Sequence, residues 1–383
     1  MDGMMIKTNN KKIKVLQFPI SNSKGGITQY VLQNWKYIDK SKFQFDFATM
    51  SKSLDFADEL LSTGSKIFYI SCYAEDNENK FIEEFRRILV EGKYDIVHLH
   101  TKQWKSFNVE KIAKEVGVNK IIVHAHSTGI DTLDDSKREK EIDLHNRILR
   151  TLTDDIATDY WACSMLAADF LFGNRIPKRQ IKIMNNAIEL SMFRFNNQVR
   201  EAYRRKLGMS KKFVIGNVGR LAYPKNQEFL LQVIKRICRI EKDCLLLLVG
   251  TGEKENYYRQ FVKDNGLENN VMFLGYRNDV NCLLQAMDIF ALPSKFEGMP
   301  IVAVEAQMSG LKCICSDAIT TEIAITDNVE MIPLEVDLWK DGILKFREGY
   351  RRKDEFDRMK LAGYDICLQI KKIEEEYCAN NNT

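Results

Sequence analysis

At 383 residues the chain is too long for one ordinary core and about the length of two domains. Hydrophobic residues make up 45% and charged residues 29%, a globular balance that excludes a disordered or fibrous protein. The net charge is +4, with 28 Lys/Arg against 26 Asp/Glu in residues 1–190 and 29 against 27 in the remainder, so neither half has the basic excess of a nucleic-acid binder. A local basic patch for anionic lipid or phosphate is left open, because net charge does not report clustering.

The first segment, MDGMMIKTNNKK, is polar and lacks the apolar stretch of a secretion signal. No apolar run approaches the ~20 residues of a membrane span, so a cytoplasmic protein is expected. A first strand is expected at 13–20 (IKVLQFPI), followed by the loop SNSKGGIT and a helix from about Thr28 to Ile38. Further strands are expected at 43–48, 66–70, 95–100 and 120–124, separated by amphipathic patterns such as FIEEFRRILVEG. They describe one domain over 1–185. Residues 186–210 open on turn residues, carry no strand pattern and read as a linker.

A second domain, 211–350, has strand patterns in KFVIGNV, CLLLLVG, NVMFLGY, DIFALP and KCICSD. Residues 351–383 read as a C-terminal helix with a frayed tail, CANNNT. The fold class is therefore α/β, two doubly wound Rossmann-like parallel-sheet domains facing across a cleft, with ligands expected beyond the carboxyl ends of the strands. Nine cysteines, mostly within apolar runs, show no CxxC pair and no His/Cys cluster of zinc spacing, so buried reduced thiols and no metal site are expected.

Five features fall after expected strands. The first is PSKFEGMPIVAVEAQMSG, in which Pro300 suits the first turn of a helix. The amides of Gly298, Met299 and Ile301 would then face the cleft at a helix N-terminus, which favours an anion. Glu297 precedes that helix and Glu305 lies one to two turns inside it; a pair of carboxylates so placed suits a hydroxyl-rich ligand. The second is GRLAYPKN, where Arg220 and Lys225 share one loop and together fit a diphosphate. In VGTGEKE, Gly250 and Gly252 permit close approach of a nucleotide, and in LGYRNDV the backbone around Tyr276 and Arg277 can meet a base edge. From the other domain come the Gly25–Gly26 loop and HAHSTG. His98, His100 and His124 fall in or at apolar strands and read as core; His126, just past a strand end, is the candidate for the cleft.

Each feature alone has an ordinary structural explanation, and a Glu-x7-Glu spacing is common by chance. Their order, each after a strand, is what carries weight. At these residues the chain resembles the retaining family 4 glycosyltransferases of the GT-B fold over nearly everything from Lys12 to about Pro333. GRLAYPKN, LLLLVGTGE, LGYRNDV, DIVHLHT and AMDIFALPSKFEGMPIVAVEAQMSG are the strongest strings. SKGGITQYVLQN, SKFQFDF and DYWACSMLAADFLFG look most like the bacterial capsular and exopolysaccharide enzymes.

The resemblance implies that Arg220 and Lys225 hold the donor diphosphate and Glu305 the ribose hydroxyls. It places Glu297 on the transferred sugar with the amides of Gly298, Met299 and Ile301 on either side of Pro300, brings His126 to the sugar from the opposite domain, and uses Gly26 for a close approach to phosphate or acceptor. It further implies a nucleotide-diphosphate sugar as donor and no separate cofactor. The acceptor would be a saccharide or lipid-linked saccharide, reached at the inner membrane face. It says nothing about oligomeric state. The chain departs from the family at Asn186–Ala187, where Asn-Gly is common, and at LKCIC. A nucleotide-sugar 2-epimerase and a catalytically silent partner subunit are alternatives on the same fold. A dinucleotide dehydrogenase is the weakest, because Gly25–Gly26 lacks the GxGxxG spacing.

Overall fold

The computed structural model describes residues 11–22, 25–132 and 134–379. The polar segment before Lys11 and the Asn/Thr end of the CANNNT tail lie outside the described residues.

Strands β1 (Ile13–Phe18), β2 (Phe43–Thr49), β3 (Ile67–Tyr69), β4 (Ile96–Thr101), β5 (Lys120–Ala125), β6 (Asp159–Ala162) and β7 (Ile181–Ile183) form one parallel sheet in the order β3-β2-β1-β4-β5-β6-β7. A second parallel sheet follows. It is built from β8 (Phe213–Val218), β9 (Cys244–Val249), β10 (Val271–Phe273), β11 (Ile289–Leu292), β12 (Lys312–Ser316) and β13 (Val329–Ile332), in the order β10-β9-β8-β11-β12-β13. The continuous apolar run of β9 is buried along its whole length, as a strand covered on both faces must be. In each sheet the winding reverses beside the first strand, between β1 and β4 and between β8 and β11. That reversal opens a crevice at the carboxyl ends. The loops after β4, β5, β8 and β11 emerge there.

β1 ends at Phe18, two residues earlier than the pattern indicates, and the first helix, Gly26–Tyr37, starts two residues earlier. β6, β7 and β13 escape the sequence pattern. They are three or four residues long, β7 and β13 each carry a charged residue, and β6 runs almost directly into Ser164, the cap of the next helix. The thiols also differ from expectation: Cys163, Cys244, Cys313 and Cys315 are buried, but Cys367 and Cys378 are exposed.

After the second sheet the chain returns to the first. The C-terminal helix Ile366–Cys378 lays Ile370, Ile373 and Tyr377 into the cluster that contains Val15, Phe43, Phe45 and Trp161. Polar ties fix it there: the Asp39 amide donates to Glu374 at 2.8 Å, Lys182 pairs with Glu376, and the Lys120 ammonium donates to the carbonyl of Ala379 at 2.7 Å. The outgoing and returning segments run side by side through a parallel bridge between Ile188 and Asp365.

Candidate active site in the interdomain crevice

The loop after β11 is the centre of the site. Its carbonyls are tied down from the opposite side, one after another. Thr128 Oγ1 donates to the carbonyl of Glu297 at 3.0 Å, Ser164 Oγ to that of Gly298 at 2.7 Å, and Asn186 Nδ2 to that of Met299 at 2.7 Å. Ser164 also caps the helix Met165–Phe172 by accepting from the Ala167 amide, which fixes its direction. With three successive carbonyls held by the first domain and the linker, the amides of this loop are free to point elsewhere. Among the described residues no hydrogen bond reaches the amides of Gly298, Met299 and Ile301. They lie at the start of the helix Ile301–Met308, the positive end of its dipole. Pro300 is the residue before that helix rather than its first turn, since its ψ of 109° is extended.

Gly298 is required by contact. A Cβ there would stand 2.2 Å from the carbonyl oxygen of His126. The two halves of the crevice therefore meet backbone to backbone at His126 and Gly298.

Lys225 Nζ lies 2.5 Å from Oε1 of Glu297, and Ser294 Oγ donates to the same oxygen at 2.9 Å. Both members of the pair are largely buried. Arg220 is half-exposed and is shared by Asp131, from the opposite domain, and Glu253, with Nη1 3.7 Å from Oε2 of the latter. Arg220 and Lys225 thus converge on the mouth of one crevice, each currently balanced by carboxylates. Glu305, on the inward side of the helix, makes no side-chain hydrogen bond among the described residues, and burial pushes its pKa up to about 7.

Gly250 and Gly252 are required by packing within the second domain. A Cβ on Gly250 would meet the Gly219 carbonyl oxygen at 2.1 Å, and one on Gly252 the Leu221 oxygen at 2.4 Å. They let the loop after β9 nest on the loop after β8, which carries Arg220; the Gly250 amide also donates to Gly275 at 2.8 Å. That nesting fixes the loop that carries Arg220. Arg277 is engaged with Asp279 through two bonds of 2.8 and 2.6 Å, so its side chain braces the turn and only its backbone is offered. The neighbouring Tyr276 is half-exposed. Gly26 opens the first helix with nothing within 4 Å of a would-be Cβ, so neither packing nor backbone conformation demands glycine there. Ala187 occupies an ordinary backbone conformation, so the departure from Asn-Gly introduces no strain.

Of the five histidines, His98, His100 and His124 are buried as the sequence indicates, and His145 is structural, accepting from the Trp104 amide at 3.0 Å. His126 reaches the crevice. Burial and then the Lys102 charge hold it down at about 3, so the ring is neutral at physiological pH. Lys102 was not singled out by sequence, nor were Thr128, Asp131, Ser164 and Ser294. The signal for Lys102 was its place directly after HLHT; the others are polar residues in loops and become legible only when both domains are in view.

Residues 199–357 match the family described as Glycosyl transferases group 1. The chain is 30% identical over 378 residues to EpsF of Bacillus subtilis (strain 168), named as a glycosyltransferase, covering 96% of this chain and 97% of that one. It is 25% identical over 388 residues to the UDP-Gal:alpha-D-GlcNAc-diphosphoundecaprenol alpha-1,3-galactosyltransferase of Escherichia coli, covering 97% and 98%. Among solved structures, HepE of Anabaena in complex with UDP and glucose aligns with a TM-score of 0.76 at 18% identity, covering 96% of this chain and all of that one. Sucrose-phosphate synthase of Thermosynechococcus elongatus aligns at 0.77 and 16% identity, covering 96% and 99%. These last two establish the shared GT-B architecture. The chain is a glycosyltransferase and belongs to the glycosyl transferases group 1 family.

Proposed function

We propose that this enzyme moves a glycosyl unit from a uridine-diphosphate sugar to a hydroxyl of a lipid-diphosphate-linked saccharide during capsular or exopolysaccharide synthesis, with retention at the anomeric carbon. The observation that carries the reading is the Lys225–Glu297 pair, set before the free amides of the helix Ile301–Met308 with Arg220 beside it. A diphosphate entering there would exchange carboxylate partners for phosphate oxygens on Arg220 and Lys225. The amides would take part of the charge that grows as the leaving group departs.

The bond from the anomeric carbon to the diphosphate oxygen breaks while the bond to the acceptor oxygen forms on the same face. The acceptor proton passes to the departing phosphate oxygen. Glu297 positions the sugar and stabilises the cationic ring, Glu305 accepts from the ribose hydroxyls, and His126 contacts the sugar from the first domain. The contact between His126 and Gly298 excludes water and limits donor hydrolysis. The donor base and the lipid-linked acceptor are suggested by the names of the Escherichia coli relative and the HepE complex. No helix among the described residues is long and apolar enough to cross a membrane, so such an acceptor would be met by surface contact.

The test is turnover of a panel of uridine-diphosphate sugars by Glu297→Ala, Arg220→Ala and Lys225→Ala, with the product's anomeric configuration read by NMR. Near-wild-type turnover in all three would sink the site; an inverted product would sink the stereochemistry.

A further inference from the structure

One face of the first sheet is polar where such a core is ordinarily aliphatic. Gln17 of β1, His98 and His100 of β4 and His124 of β5 are buried together. The ring of Tyr30 meets His100, His124 and His126 edge-on. Tyr377, from the C-terminal helix, closes the far end.

The side chains form a continuous path. Gln17 Nε2 donates to Tyr377 Oη at 3.2 Å, and Tyr377 Oη is 2.7 Å from Nδ1 of His98. Gln17 Oε1 is 2.8 Å from Nε2 of His100, and His100 Nδ1 is 3.0 Å from Nε2 of His126. A side branch joins His98 Nε2 to His124 Nδ1 at 3.2 Å.

The proton positions follow from the Gln17 amide, whose Nε2 donates to Tyr377. Burial holds His98, His100 and His124 well below their ordinary range, so each neutral ring carries one proton. The amide oxygen of Gln17 can only accept, so Nε2 of His100 bears its proton and Nδ1 is an acceptor. His126 must then donate from Nε2, which leaves its Nδ1 bare. That atom makes no hydrogen bond among the described residues, and the ring is only partly buried. Tyr377 Oη accepts from Gln17 Nε2, which turns Gln17 Oε1 toward His100.

We propose that Gln17, His100 and Tyr377 are a tautomer-setting relay that presents the bare Nδ1 of His126 to the crevice as the acceptor for a hydroxyl of the transferred sugar. This rests on the sugar contact of His126 in the function proposed above. The three are positioning residues: they act through His126 and touch no substrate. The arrangement selects a donor that carries a hydroxyl at that position and disfavours one that lacks it, because a deoxy sugar leaves Nδ1 without its bond. A metal centre is the competing use of the cluster, since one nitrogen from each of His98, His100 and His124 lies within 4.8 Å of the others. Filling it would break the His98–His124 bond and bury a double charge with no carboxylate among the ring partners, which is costly.

The chain has five histidines, four of them in this cluster, so histidine-labelled protein can be read by long-range nitrogen–proton NMR. Wild-type His126 is expected in the Nε2–H form. In Gln17→Met, His100 loses its acceptor; a buried N–H without a partner is costly, so its proton shifts to Nδ1 and drives His126 toward Nδ1–H. Gln17→Glu keeps an acceptor for His100 and is expected to hold His126 at Nε2–H, which separates the relay from general damage to the core. Discrimination between the cognate donor and its deoxy analogue should fall about two- to tenfold in Gln17→Met, the weight of one neutral hydrogen bond, and recover in Gln17→Glu.

A His126 ring that stays Nε2–H in Gln17→Met, or is Nδ1–H in wild type, would overturn the relay. So would stoichiometric zinc in the purified protein. Tautomers that move as expected with discrimination unchanged would overturn the sugar contact alone, while the Glu297 and Lys225 variants judge the broader assignment separately.

Discussion

Glu305→Gln should make the unliganded protein more stable and the enzyme worse, and the stability gain should depend on pH in one direction. Burial raises the Glu305 carboxyl from the ordinary 4.5 to about 7, with no partner to offset it. The unfolded chain ionises near 4.5 and the native one near 7. Between those values the native state holds the extra proton, and wild-type stability falls as pH rises. The cost is absent below about pH 4.5 and complete above about pH 7. At about 1.36 kcal/mol per pKa unit it amounts to roughly 3 kcal/mol, an upper bound because the group is not fully enclosed.

Glutamine keeps the shape and removes the charge. The melting temperature of Glu305→Gln should therefore match wild type near pH 4.5 and exceed it increasingly up to pH 8. UDP binding should weaken at the same time by about tenfold or more, the weight of a hydrogen bond to a charged acceptor. In wild type at pH 7, ribose hydroxyls bonding to the carboxylate favour its ionised form. UDP binding should then release a fraction of a proton, visible as a buffer-dependent enthalpy in calorimetry and lost in the variant. A stability difference that is zero or independent of pH would mean that burial does not perturb the Glu305 carboxyl.

Lys225→Met strands a mostly buried Glu297 with only Ser294 as partner. It should cost about 1–3 kcal/mol of stability and roughly 10²–10³ in turnover, read by thermal unfolding and steady-state kinetics. Asp131→Asn removes the carboxylate that holds Arg220 across the crevice. Because Arg220 is half-exposed, the gain in UDP affinity should be modest, up to about fivefold and shrinking with salt; unchanged affinity would deny the competition. In Gly298→Ala the new methyl meets the His126 carbonyl, so the crevice must open. Small-angle scattering should show a larger radius with the fold intact, and turnover should fall. Gly26→Ala meets nothing in the free protein, so its stability should hold; any lost activity then reports contact with a ligand.

The architecture was legible because its signals are local. The buried run of β9 and the alternation of strand and helix patterns need no knowledge of the partner domain. Candidate site residues could be picked out where a loop directly follows a strand, as with Arg220, Lys225, His126 and Glu297. The remainder depends on pairing across hundreds of residues. The packing role of Gly250 and Gly252 shows only once Gly219 and Leu221 are seen beneath them. Thr128, Ser164 and Asn186 are unremarkable polar residues until each is found on a successive carbonyl of one distant loop. Short strands such as β7 carry too few residues to show a period.

The return of the C-terminal helix to the first sheet has a consequence for how the protein is made. The face that carries Val15, Phe43 and Trp161 is sealed by Ile370, Ile373 and Tyr377, residues that leave the ribosome only after the whole second domain. The amino-terminal half therefore emerges first but cannot finish its own interior. It must wait, with apolar surface uncovered, while the whole second domain is synthesised and folds. Vectorial folding is thereby inverted: the domain begun first is completed last. Removing residues from 366 onward should leave the second sheet able to form and the first exposed to proteolysis.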